Sequence, residues 1–231
     1  MRSETGLARL GAVLWILSLQ IFIVERVAMR LTRPAQSFTH DYVSNMGIVT
    51  CSAAFCSPLH SLFNASFAAQ GILFAVGALL LWRVFPQLPE SSAALVFLGL
   101  SGAGIAIAGL MPGDLHHTRH VVAGTLFFTS GSVAVCLFGM VWLNAASPQR
   151  RTGWAFIAVG ASMVVTTVML QWRNVAIDNP LMRNIGMVER VPAYGIPLSV
   201  ATMGALLLAR RPMDHEGKLR MKLMKRFHVA R

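Results

Sequence analysis

Six runs of roughly 20 apolar residues divide the chain: Leu10–Met29, Leu62–Leu81, Ser92–Met111, Val121–Leu143, Trp154–Trp172 and Val191–Ala209. A helix rises about 1.5 Å per residue, so each run is long enough to cross a hydrocarbon core of about 30 Å. The pattern predicts an all-α fold: an integral membrane bundle of six transmembrane helices over residues 1–209, followed by a basic tail, 210–231. Trp82, Trp142, Trp154 and Trp172 fall at the ends of these runs, where indoles prefer the interface, and only Trp15 lies mid-run. Glu25 and Arg26 interrupt the far end of the first run. No small-x-small cleavage site follows its apolar core, so a retained span is expected rather than a signal peptide.

The connections are unequal. Trp82–Ser91 and Asn144–Gly153 are short. Arg30–Ser61 is long and carries Phe38, Tyr42, Val43, Met46, Ile48, Val49 and Phe55, so it is expected to fold back on the helix ends, as a short interfacial helix. In the third run Gly99–Ala103, Gly104–Ala108 and Gly109–Gly113 are small residues four apart, which predicts a close-approach face. Pro192 suits the first turn of the sixth span, whereas Pro197 is expected to kink it.

Composition agrees with the membrane reading: 55% of residues are hydrophobic and 13% charged, against about 25% charged in soluble domains. The net charge of +11 does not indicate nucleic acid, because all three lysines and five arginines lie in 210–231. A basic segment directly after a span is a topology signal, and anionic lipid of the cytoplasmic leaflet is its expected partner. With both termini cytoplasmic, the inside segments carry thirteen Lys and Arg. The outside segments carry seven: Arg26, Arg30, Arg33, Arg119, Arg173, Arg183 and Arg190. The tail decides this count. The expected location is the cell membrane.

Polar chemistry then concentrates at one face. His40, His60, His116, His117 and His120 all fall on the three outside segments. His116 and His120 are one helical turn apart, a workable pair of zinc ligands with His60 as a third. The competing reading leaves these histidines at headgroup level, bonded to water, phosphate or backbone. Glu189 and Arg190 open the last span while Glu25 and Arg26 close the first, so cross-pairing would tie those helices together. Alternatively Asp41 or Glu189 acts as a catalytic base, with His40, Ser44, Asn64, Asp114 and Arg190 holding a lipid headgroup. Asp41 is equally placed to cap a helix. Cys51 and Cys56 form either a disulfide in an oxidising compartment or two free thiols.

Taken together, Asp41-Tyr42-Val43-Ser44 with Gly47, Asn64 and Gly71, Pro112-Gly113-Asp114 with His120, and Gly186-Met187-Val188-Glu189-Arg190 resemble the bacterial domain-of-unknown-function 998 family of six-helix membrane proteins, distantly similar to the DRAM and Sfk groups. The resemblance implies a six-helix bundle with its motifs on one face, and no assigned reaction. His116, His117 and the Cys51/Cys56 pair lie outside its motifs. The leading expectation is a protein that binds a lipid headgroup or a membrane protein partner at its outer face. A zinc-dependent enzyme acting on a lipid or envelope precursor stands second, and a transporter or flippase third.

Overall fold

The computed structural model describes residues 2–85, 88–143, 147–172 and 183–209. The basic tail and Arg173 lie outside the described residues. The elements are α1 (Arg2–Leu17), α2 (Gln20–Leu31), a 3-10 turn (Val43–Gly47), α3 (His60–Leu81), α4 (Pro89–Leu110), α5 (His117–Leu143), α6 (Ser147–Trp172) and α7 (Ile185–Ala209). Counting α1 and α2 as one run, six helices are long and apolar enough to span a membrane, with mean hydropathy from 1.6 to 2.1. Several begin earlier than the apolar runs do.

The first span is not one straight helix. Ser18 Oγ donates to the Trp15 carbonyl at 2.6 Å, and the Leu19 amide donates to Ile16 at 3.1 Å, tightening the turn between α1 and α2. Such back-bonding by serine is a recognised cause of helix bends. By contrast, α7 stays helical through both Pro192 and Pro197.

The spans pack as a closed ring. α1 lies against α3, α3 against α4, α4 against α5, α5 against α6, and α6 against α7, which returns to α1. The first and last spans are therefore neighbours. Trp15 is fully buried where the ring closes, near Phe85 and Phe138, and its indole N–H reaches the Phe74 carbonyl at 3.4 Å. Outward positions such as Ile23, Leu79 and Leu110 are apolar and exposed, as a lipid-facing surface requires.

The tightest helix crossing is between Gly71 of α3 and Gly102 of α4, where a Cβ on either residue would strike the other's carbonyl oxygen. The expected glycine face of α4 is real at Gly104 and Gly109, but the two contact different helices, α5 and α3. Gly99 faces open space instead.

The long connection after α2 does fold back, as its apolar content requires, yet as a 3-10 turn sunk into the bundle rather than an interfacial helix. Val43, Met46 and Gly47 are buried. Ser57 Oγ donates to the Met46 carbonyl at 2.6 Å, and Asn64 Nδ2 donates to the Gly47 carbonyl at 2.8 Å. Arg33 and Cys56 exchange both backbone hydrogen bonds, at 2.8 and 2.7 Å, closing the base of the connection. Cys51 and Cys56 are joined as a disulfide within it.

Candidate functional site

An arginine placed within a membrane helix must have its donors met by protein. Arg190 of α7 is 3% exposed and is met from several sides. Its Nη1 donates to the carbonyls of Phe38 (2.7 Å), Asp41 (2.9 Å) and Gly186 (3.1 Å). Its Nε reaches Glu25 Oε1 and the Tyr194 hydroxyl, each at 3.3 Å. Nη2 also lies 3.3 Å from Glu25 Oε1, completing the ion pair. Tyr194 Oη donates to that same oxygen at 2.7 Å, and the Phe38 ring stands 4.4 Å from the guanidinium carbon. The expected cross-pairing of the first and last spans is thus present as Glu25–Arg190, while Arg26 remains exposed. One residue earlier, about 100° around the helix, Glu189 points elsewhere. Its carboxylate accepts the Val43 amide and a bond from the Ser44 side chain.

Two cavities meet at this point. The inner one, about 50 Å³, lies among α2, α3, α4, α5 and α7 and includes Glu25, Gln70, Phe67, Phe127 and Tyr194 in its wall. The outer one, about 400 Å³, opens at the loop-bearing face beside Tyr42, Asn45, Asp114, His117 and Gln171. They share Ser44, His120, Gly124, Phe128 and Glu189. No lysine or arginine among the described residues lines either cavity. His120 has its Nδ1 at 3.1 Å from the Ala108 carbonyl and 2.9 Å from that of Met111. Carbonyls only accept, so Nδ1 carries the hydrogen, and in the neutral ring Nε2 is left as an acceptor.

The sequence candidates divide accordingly. Ser44, Asp114, His120 and Glu189 line the cavities. Arg190 lines neither; its Nε and Nη1 are bonded within the protein, and its Nη2 makes the ion pair with Glu25 without a hydrogen bond. Asp41 also turns away, its Oδ2 accepting the Ser37 amide at 2.6 Å, and the 3-10 turn has no side-chain cap. His40 sits exposed against Ser37 and Thr39, Asn64 clips Gly47, and His60 Nδ1 lies 2.9 Å from the Ser57 carbonyl. His116 and His120 are one turn apart as their spacing requires, but His116 is exposed while His120 turns inward. The three proposed zinc ligands are not brought together. Among the described residues no three His, Cys, Asp or Glu side chains converge as a metal-binding group. Gln70 and Tyr194 are wall residues that the sequence does not single out, and His117, grouped with the other face histidines but given no role, lines the outer cavity.

Asp114 clasps the two described outer loops together. Its carboxylate accepts the Thr50 hydroxyl (2.7 Å), the Thr50 amide (2.9 Å) and the Val49 amide (3.2 Å). Burial works to raise the pKa of this carboxyl, but these donors outweigh it and hold it below the usual 3.8.

Fold and site define a class, a six-span helical membrane bundle with a largely apolar double cavity that carries a few polar groups. Within that class the chain belongs to the family described as Protein of unknown function (DUF998), which matches residues 11–206. Searches of curated proteins and of solved structures give no match.

The Asp114 clasp has a defined pH dependence. A carboxyl whose folded pKa is depressed contributes stability above the unfolded value and loses it as pH falls through the folded one. Amide exchange at Val49 and Thr50, corrected for intrinsic rate, should stay slow above pH 3.8 and accelerate below it. In Asp114→Ala it should be fast at every pH. Exchange indifferent to both acid and substitution would mean that the clasp does not form.

Proposed function

We propose that this protein binds the polar end of a membrane amphiphile, drawing it from the outer leaflet into the double cavity, with both chain termini in the cytoplasm. The observation that carries the reading is the shared wall of Ser44, His120, Gly124, Phe128 and Glu189, which joins a larger vestibule to a smaller, aromatic-walled chamber. Ligand cavities are typically a few hundred Å³, mostly apolar, with a few placed polar groups. The outer cavity alone has that size. Acyl chains need no cavity of their own, because the apolar outer surface of the bundle is continuous with the bilayer. The disulfide between Cys51 and Cys56 supports placing the cavity face outside the cytoplasm, since disulfides persist in oxidising compartments. The Lys- and Arg-rich tail supports the opposite face as cytoplasmic, lying on anionic lipid.

Gly124 gives a direct test, because a Cβ there meets nothing within 4 Å and a large side chain would enter the cavity. Protein purified in mild detergent should retain stoichiometric phospholipid on extraction. Gly124→Trp should retain about tenfold less, equivalent to about 1.4 kcal/mol, with an unchanged melting temperature. Equal retention by the two proteins, or none by wild type, would count against the reading. Sidedness is tested separately with an impermeant maleimide on intact cells in a Cys136→Ala background. Leu115→Cys should label and Lys218→Cys should not; the reverse pattern would put the cavity on the cytoplasmic side.

A further inference from the structure

The wall of the inner chamber holds an acceptor without a partner. Gln70 is 2% exposed on its wall, and the side-chain carbonyl oxygen has no hydrogen-bond partner. An unpaired buried carbonyl costs roughly 1–3 kcal/mol, so its retention there calls for a donor from a ligand. Glu189, buried alongside, takes the Val43 amide on Oε2 and a bond from the Ser44 side chain, leaving lone pairs of the carboxyl group still available. His120 presents an Nε2 lone pair once Nδ1 is committed to two carbonyls. Charge points the same way. Among the described residues, the carboxyl groups of Glu25 and Glu189 are buried against one buried guanidinium, Arg190, which pairs with Glu25 while its Nη2 makes no hydrogen bond. Phe67, Phe127, Phe128 and Tyr194 supply aromatic surface around the chamber, and ring faces attract cations, most strongly in desolvated sites.

From this arrangement we infer that the chamber is a site for a primary ammonium group carried at the head of the amphiphile. The inference rests on the amphiphile-binding reading of the cavity. An N–H-bearing cation satisfies Gln70 Oε1, the Glu189 carboxylate and His120 Nε2 together, which neither a phosphate nor a quaternary ammonium can do. The size of the chamber, about 50 Å³, favours the smaller head as well. The rest of the headgroup occupies the outer vestibule, where Asn45 and His117 stand.

The test is competitive retention by the full-length detergent-purified protein. It is offered an equimolar mixture of phosphatidylethanolamine, phosphatidylcholine and phosphatidylglycerol with identical acyl chains, and bound lipid is counted by native mass spectrometry. Wild type should enrich phosphatidylethanolamine on the order of tenfold over each of the others, the scale of one charge-assisted hydrogen bond. Gln70→Leu removes the unpaired carbonyl at similar volume and should fold at least as well, yet the enrichment should fall severalfold. Glu189→Gln should abolish the enrichment. Free ethanolamine in excess should compete for the site, since the ammonium is the recognised group. Lipid bound without headgroup preference, or with preference for phosphatidylglycerol, would overturn the ammonium assignment and leave the amphiphile reading standing. Absence of any bound lipid would instead overturn the reading beneath it.

Discussion

A guanidinium that cannot lose its charge has been placed inside a membrane helix, and much of the architecture follows from satisfying it. Arg190 is held by Glu25 from the first span, Tyr194 one turn below on its own helix, and the carbonyls of Phe38 and Asp41 from the long loop. That set of partners does three things at once. It closes the ring of helices between α1/α2 and α7. It fastens the loop over the bundle. It also fixes the rotation of α7, so that the adjacent Glu189 faces Val43 and the cavity instead of the ion pair. The loop held in this way supplies Tyr42, Ser44 and Asn45 to the cavity walls, and Asp114 clasps its far end from the α4–α5 turn. The cavity is thus a product of burying a charge as much as of packing helices.

The division of labour between neighbouring acidic groups follows from the same geometry. Glu25 takes Arg190 and Tyr194 on Oε1, whereas Glu189 takes the Val43 amide and the Ser44 side chain. Asp114 remains near solvent and works as a clasp between loops. A chamber walled by aromatic rings, with an unpaired acceptor and no Lys or Arg among the described residues that line it, is chemically suited to a donor ligand. In this account affinity comes from desolvated hydrogen bonds in the chamber, and access comes from the bilayer.

Much of this was legible in the sequence. Hydropathy located the six spans because helix length and bilayer thickness leave few alternatives. The apolar side chains of the first long connection required it to fold back, and paired opposite charges at the ends of the first and last spans foretold the Glu25–Arg190 tie. What escaped the reading depends on direction rather than position. Spacing places His40, His60, His116 and His120 near span ends, but of these only His120 lines the cavities, and a local hydroxyl or carbonyl holds His40 and His60. The Ser18 break depends on a single back-bond. Gln70 looked like one tolerated polar residue in an apolar run. Tyr194 carried a usable signal, four residues after Arg190 and so on the same helical face.

The central claim is that Glu25 and Arg190 stabilise the fold as a pair, and a double-mutant cycle tests it most directly. Glu25→Gln, Arg190→Gln and the double variant are compared by thermal unfolding of the full chain in detergent. Removing one member of a buried pair typically costs about 3–5 kcal/mol, because the survivor is left uncompensated. The account predicts that each single variant is strongly destabilised and that the double variant is far less so than the two losses added together. Strictly additive losses would show that the two residues act independently, and the structural basis offered for the cavity would then be wrong.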